Sequence, residues 1–437
     1  MAFQQGLSGL NTSSKAIDVT SNNIANASTV GYKASVSHFA DVYASSLTGA
    51  SAGQAGIGVN LAAIQQQFTQ GNITTTTNPL DISINGGGFF RMDQNGAVSF
   101  SRNGQFHLDK NGYIINDQTL KLTGYPASAS GLITATSPVP LQISASDLAP
   151  VATGTSTNSA FVGVRANLNL DARQTVPSVA WADGPAAGSV TGWAPNPLSY
   201  NYSTATSVYD SLGNAHTMTL YFRKTAAVGA WEVYANVDGT TNLNNGGGGP
   251  ISTITFNSSG QLAGGSPMNL SINLAQVNTS LGKPVSGATS PLAFPIDFVG
   301  STQFGSAFGT NRIEQDGYAA GHLIGLSVGS DGIIQGRYSN GQTFNQGQVV
   351  LANFTNPNGL QSQGNNQWTE TSVSGPPLVG APNTSSLGVL QSASVEESNV
   401  DLTAELVNLI TQQRNYQANA QSIKTQDQVL QTLVNLR

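Results

Sequence analysis

Side chains able to do acid–base, metal or phosphate chemistry are few in this chain and widely spaced. The four histidines, His38, His107, His216 and His322, lie far apart, and none stands in a metal-ligand spacing such as HExxH. There is no cysteine, which excludes thiolate nucleophiles, disulfides and Cys-based metal sites. The stretch "INGGGFF", 84–90, is glycine-rich but fits neither the P-loop nor the dinucleotide fingerprint, and no helix pattern follows it. It reads as a tight strand connection. "DKNG", 109–112, has its glycine too early for a calcium loop and no bidentate Glu at the proper distance, so it reads as a hairpin turn. The expectation is a chain with no catalytic residues, no cofactor and no metal; Asp/Glu dyads assembled by folding stay open.

With little chemistry to position, the elements themselves carry the information. Charged residues are 9% of the 437, against roughly 25% in ordinary soluble domains. Gly, Ser, Thr, Asn and Gln fill the deficit. A surface poor in charge is weakly protected against association, which points to packing against copies or partners. The net charge of −6 and the scattered Lys and Arg argue against nucleic acid or an anionic membrane as partner. The opening "MAFQQGLSGLNTSSK" lacks a basic n-region and an unbroken apolar run. The expectation is a chain that stays in the cytosol or is exported without a cleaved signal peptide. No apolar run approaches the roughly 18 residues of a membrane span.

Both ends read as helices. Near the N-terminus Phe3, Leu7, Leu10, Ser14, Ile17, Ser21 and Ile24 alternate spacings of four and three. Gly6 and Gly9 weaken that helix in isolation, so it needs a partner. At the C-terminus the same spacing runs through Leu402, Leu406, Leu409, Gln413, Tyr416, Ala420, Ile423, Asp427, Leu430 and Val434. Asp401 is placed to cap it and Glu405 suits its first turn. Residues 401–437 hold seven Gln and four Asn but only six charged residues. Such an amide-rich face packs on other chains without charge repulsion. The apolar stripes of the two helices are therefore the candidate self-assembly surface.

The middle reads as β. Asn-Gly at 95–96, 103–104 and 111–112 predicts type I′ hairpin turns in a meander, and Asp331-Gly332 and Asn340-Gly341 repeat the signal. "HTMTLYF" and "WEVYANV" alternate as strands, with Trp231, Val233, Ala235 and Val237 on one face. "NLNNGGGGP", 242–250, reads as a flexible loop. The fold class expected is mixed: terminal α-helices forming a coiled-coil domain, with all-β domains nested between them. The boundaries expected are 1–30 with 395–437 for the helices, 31–70 for a connecting segment, 71–146 with 314–390 for a discontinuous β domain, and 147–313 for an outer β domain.

"GLSGLNTSSKAIDVTSNNIANASTVGYK" strongly resembles the N-terminal signature of the bacterial flagellar axial proteins, the rod, hook and hook-associated subunits. "SNVDLTAELVNLITQQRNYQANAQSIKTQDQVLQTLVNLR" resembles their C-terminal signature. "FSRNGQFHLDKNGYIINDQTLKLTGYPA", "VYDSLGNAHTMTLYF" and "QGQVVLANFTNPNGLQSQGNNQW" are most similar to hook subunits within that group. The likeness covers both ends and most of the first β domain, and weakens over about 225–310.

The resemblance implies a structural homopolymer rather than an enzyme. It implies a curved tube on the outside of the cell that joins rod to filament, passes motor torque and encloses the export channel. It further implies export through the flagellar type III apparatus, assembly beneath a hook cap, and contacts with rod and hook-associated junction proteins. In that setting Asn22, Asn23, Asn26, Gly31 and Tyr32 are expected to end the first helix and to face a neighbouring copy. Two alternatives stay open: another axial subunit of the distal rod or hook–filament junction, and a secreted enzyme or adhesin carried on axial ends.

Overall fold

The structure is a computed structural model. It describes the chain apart from residues 1, 43–55, 57, 129, 145, 157–159, 183–193, 240, 243–248 and 436–437. The predicted loop at 242–250 lies largely outside the described residues. Two compact units emerge: Met1–Ser144 with Gly325–Gly336 and Phe344–Arg437, and Ala145–Ile324 with Arg337–Thr343.

In the first unit, helix α1 spans Ala2–Ala25 and helix α3 spans Leu402–Asn435. α3 starts where the sequence requires: Asp401 Oδ1 accepts from the amides of Thr403 (2.9 Å) and Ala404 (3.1 Å), satisfying two donors of the first turn. α1 stops at its asparagines. The Asn26 side chain donates to the Asn22 carbonyl, competing for a group that would otherwise serve the next turn. Gly31 then turns the chain at φ +71°, where an added Cβ would sit 2.6 Å from the Asn103 nitrogen.

The two helices pack antiparallel, with Gly6 beside Ile423, Gly9 beside Asn419 and Asn23 bonded to Glu405. A Cβ on Gly9 would lie 2.8 Å from the Asn419 amide. The glycines that weaken α1 alone therefore let the helix axes approach. Residues 31–70 are more than a connection. Strand β1 (Ser35–Val42) pairs antiparallel with β2 (Gly58–Gln66) beside α1, where Ser8 Oγ accepts from the Val59 amide. The segment before α3 retraces the outgoing chain: Val389–Ser392 pairs with Ile82–Asn85, and Ser394–Glu396 with Ile73–Thr75. Residues 395–401 thus begin as strand rather than helix. Phe89, Phe100, Ala352, Phe354 and Trp368 form an aromatic core here, with Phe68 edge-on to Phe89 and Trp368.

The second unit holds two sheets around one core. One runs Tyr202–Tyr209, Ala215–Lys224, Ala230–Val237, Ser252–Phe256, Leu262–Gly264; the other runs Met268–Ile272, Leu292–Asp297, Val164–Asn169, Gly309–Gln315. Trp231, Val233, Ala235 and Val237 enter the shared core as the alternation predicts, and the short helix α2 (Leu274–Ser280) adds Leu274 and Val277. The expected return to the first domain at 314 comes too early. Gly309–Gln315 pairs with Val164–Asn169, and bridges at Val151–Tyr318 and Leu148–Gly321 hold the chain in this unit further on.

The Asn-Gly turns divide. Only Asn95-Gly96 has both residues at positive φ, +54° and +94°, as a type I′ turn demands. At Asn111-Gly112 and Asn340-Gly341 only the glycine is left-handed. Asp109 and Asn340 side chains cap those turns by accepting backbone amides. Asn103-Gly104 is no hairpin turn. Its glycine lets the backbone cross Ile82, whose oxygen would lie 1.7 Å from an added Cβ.

Trp368 is fully buried and its Nε1 donates to Gln66 Oε1 at 2.6 Å. Trp368→Ala is expected to cost the first unit about 3–5 kcal/mol, measured by denaturant unfolding; a loss under about 1 kcal/mol would contradict this packing account.

Candidate self-assembly interface

The helix stripes behave differently from an ordinary amphipathic pair. On α3 the half-buried positions are Glu405, Leu409, Gln412, Asn419, Ala420, Ile423 and Gln426. This seam sits beside α1 and mixes amides with Leu409 and Ile423. The predicted stripe is offset from it. Leu402, Leu406, Tyr416, Leu430 and Val434 stay exposed, with Leu406 at 44% and Leu430 at 53%; of the stripe residues named as candidates, only Leu409 and Ile423 are partly covered. α1 repeats the pattern. It buries Gly6, Thr12, Ser13, Ala16, Thr20 and Asn23, leaves Phe3 and Leu7 exposed, and half-buries Leu10, Ile17 and Ile24. Small and polar residues thus fill the buried positions of α1, while Phe3 and Leu7 face outward.

The candidates at and after the end of α1 divide. Asn22 and Asn26 bond each other and finish the helix. Asn23, 1% exposed, is saturated inside its own chain. Its amide donates to the Ser35 carbonyl (2.8 Å) and to Glu405 Oε1 (3.1 Å), and its Oδ1 accepts from Tyr32 Oη (3.1 Å) and the Ser35 amide (2.9 Å). Gly31 donates its amide to the Glu396 carbonyl at 2.8 Å. Tyr32 is buried, and burial raises its hydroxyl above the usual value. Asn23, Gly31 and Tyr32 therefore serve a fixed chain crossing, not a surface open to a neighbour.

Beneath that crossing lies a cluster that sequence reasoning missed. Glu396 is buried on the last strand before α3. Its Oε1 accepts from Lys33 Nζ (2.7 Å) and the Gly71 amide (3.0 Å), and its Oε2 from Arg102 Nη1 (3.2 Å). Lys33, fully buried, also donates to the Thr69 carbonyl, and Arg102 to the Gly86 carbonyl. Asn399 completes the tie, accepting from the Ala34 amide and donating to Gln67 and Thr69. Burial lowers the Lys33 ammonium below its ordinary pKa, against the pull of Glu396, and acts on Arg102 in the same direction. The signal for this site was scarcity: with so few charges in the chain, Lys33, Arg102 and Glu396 are worth pairing. Nothing in their spacing says that they meet.

Among the described residues, no cluster of three or more His, Cys, Asp or Glu side chains could hold a metal ion, and no helix is long and apolar enough to cross a membrane.

Four family descriptions match successive parts of the chain. "Flagella basal body rod protein" covers residues 3–33, and "Flagellar hook protein FlgE/F/G D1 domain" covers 83–154. "Flagellar basal body protein FlaE D2 domain" covers 169–318, and "Flagellar basal body rod FlgEFG protein C-terminal" covers 391–436. The flagellar hook protein FlgE of Escherichia coli (strain K12) is 41% identical over 441 residues, spanning all of both chains. The chain belongs to the flagellar hook protein family. The FlgE of Salmonella typhimurium is 40% identical over all of both chains, and that of Borreliella burgdorferi 30% identical over 100% of this chain and 99% of its own. This end-to-end likeness favours a hook protein over a rod or junction subunit, or an enzyme borne on axial ends. Lys33, Arg102 and Glu396 each come from a differently matched segment, so the ion cluster joins three parts of a hook-family chain.

Glu396→Gln removes the counter-charge from two buried cations and is expected to cost about 3–5 kcal/mol. Lys33→Met leaves one cation against one carboxylate and should cost clearly less. Denaturant unfolding of both variants checks the order; equal losses would refute the charge argument.

Proposed function

We propose that this chain is the structural subunit of the flagellar hook, polymerising through α1 and α3 into a curved tube outside the cell. The tube passes motor torque from rod to filament and encloses the export channel. Subunits reach it through the flagellar type III apparatus without a cleaved signal peptide, add beneath a hook cap, and meet rod and junction proteins at its ends. The role is mechanical; catalysis, a cofactor, nucleic acid and membrane have no part in it. In this reading the terminal helices form the inner wall and the β domains lie outside them.

The outward apolar stripe of α3 is the observation that supports this most. A 34-residue helix that shows Leu402, Leu406, Ile410, Leu430 and Val434 to solvent, and covers only a mixed, half-buried seam, is unfinished as a monomer. Copies of the same helix supply the missing cover. Phe3 and Leu7 on α1 extend the stripe.

Leu406→Asp and Leu430→Asp test this. Neither side chain is buried in the monomer, so each variant should fold with near-normal stability. In a tube the new carboxylate would be buried unpaired at several kcal/mol. The expected outcome under electron microscopy is curved tubes from the parent protein and none from the variants. Variant tubes of normal length would overturn the assignment.

A further inference from the structure

The second unit carries a buried histidine outside the α1 and α3 stripes. His216 opens the strand Ala215–Lys224 and lies between two turns. Its Nδ1 is 2.8 Å from Asp238 Oδ2, in the turn after Ala230–Val237. Its Nε2 is buried without a hydrogen bond, 3.6 Å from Asp210 Oδ2, in the turn after Tyr202–Tyr209. Both carboxylates are acceptors on every other side. Asp210 Oδ1 takes the amides of Leu212 and Asn214, and its Oδ2 takes the Asn214 side chain; Asp238 Oδ1 takes the Thr217 amide. Donors on those oxygens favour the ionised carboxylates. An imidazolium between them donates from Nδ1 to Asp238 and faces Asp210 with Nε2–H.

The same residues line a cleft of about 450 Å³ together with the end of α2 and the segment after it. α2 brings Asn278 and the segment brings Lys283, whose ammonium is the other charge lining the cleft. The polar groups around His216 are thus Asp210, Asn214, Asp238, Asn278 and Lys283. Removing the imidazolium proton leaves two carboxylates facing one another across a neutral ring.

We infer that His216 is a proton-operated clasp, which holds the 210–214 turn to Asp238 when protonated and releases it, widening this cleft, when it is not. The hydrogen bond with Asp238 raises the imidazole pKa, with both carboxylates adding to it and burial opposing. The sign follows. The clasp contributes its full stability below the ordinary histidine value of about 6.5 and loses it as pH rises through the higher folded value. On the hook reading the unit meets the outside medium, so its rigidity would follow external pH. The test in solution does not depend on that reading.

Imidazole NMR of the full-length soluble chain, with His216 assigned by His216→Gln, gives its titration directly. It should titrate above the ordinary value, and Asp238→Asn should bring it down. The parent melting temperature should fall by roughly 2–4 °C per kcal/mol lost as pH rises through that titration. Amide exchange at 210–214, corrected for intrinsic pH dependence, should accelerate over the same range, and both changes should flatten in Asp238→Asn. If His216→Gln does not fold, Asp238→Asn carries the comparison, since its loss of the His216 shift is read with the fold intact. A His216 titration at or below the ordinary value would overturn the clasp. So would an Asp238→Asn variant with an unchanged titration, or exchange at 210–214 that ignores pH.

Discussion

Everything at the base of the first unit depends on where Glu396 puts its carboxylate. Four passages of chain meet there: the turn after α1 through Gly31 and Lys33, the start of the β body through Gly71, the crossing at Arg102, and the strand that leads into α3. A buried carboxylate is tolerated only when its oxygens are filled and its charge is matched. Oε1 takes two donors and Oε2 one, and the matching charges come from segments far apart in sequence. None of these passages can shift without breaking a charged bond in a dry site. The entry of α1 and the departure of α3 are therefore fixed relative to the body of the first unit.

Rigid roots and unfinished helices make sense together. Past the cluster, α3 is held to α1 by a seam of Leu409, Gln412, Asn419 and Ile423, half of it amide and none of it fully buried. Hydrophobic burial is roughly proportional to apolar area removed from water, so such a seam contributes little. The apolar area that would stabilise the pair is turned outward. The helices thus keep most of their available burial for association, while the ion cluster ensures that their roots already point correctly.

The sequence displayed the helices and the apolar stripe because both are local: period, cap and composition are written in consecutive residues. Asp401 as N-cap and the exposed Leu406 and Leu430 were readable in this way. The role of Asn23, Gly31 and Tyr32 was not. Their types announce a turn, but whether a turn faces a neighbour or its own chain depends on Ser35 and on Glu396 and Glu405, the last two more than 360 residues away. Asn103-Gly104 failed for the same reason. Asn-Gly signals a hairpin by its local φ preference, yet here glycine was needed for a tertiary approach to Ile82 that no window of sequence contains. The late return to the first unit was hidden because the strand at 309–315 has ordinary β composition, and its partner at 164–169 is set by topology.

Charge scarcity links these observations. A chain with so few charges has placed several of them inside, at points where separate segments cross: Lys33, Arg102 and Glu396 in one unit, and Asp210 with His216 in the other. A buried ion pair adds less to stability than an apolar contact of the same volume, but it penalises every arrangement that separates its members. Used at crossings, it specifies which segments meet. The surfaces left behind are amide, hydroxyl and glycine with apolar stripes between them. They carry little charge to repel an identical copy, and their polar groups can exchange one hydrogen-bond partner for another as contacts slide. A few charges inside to define the subunit, and a sparsely charged surface to let subunits pack and shift, is a division of labour suited to a polymer that must hold together while it bends.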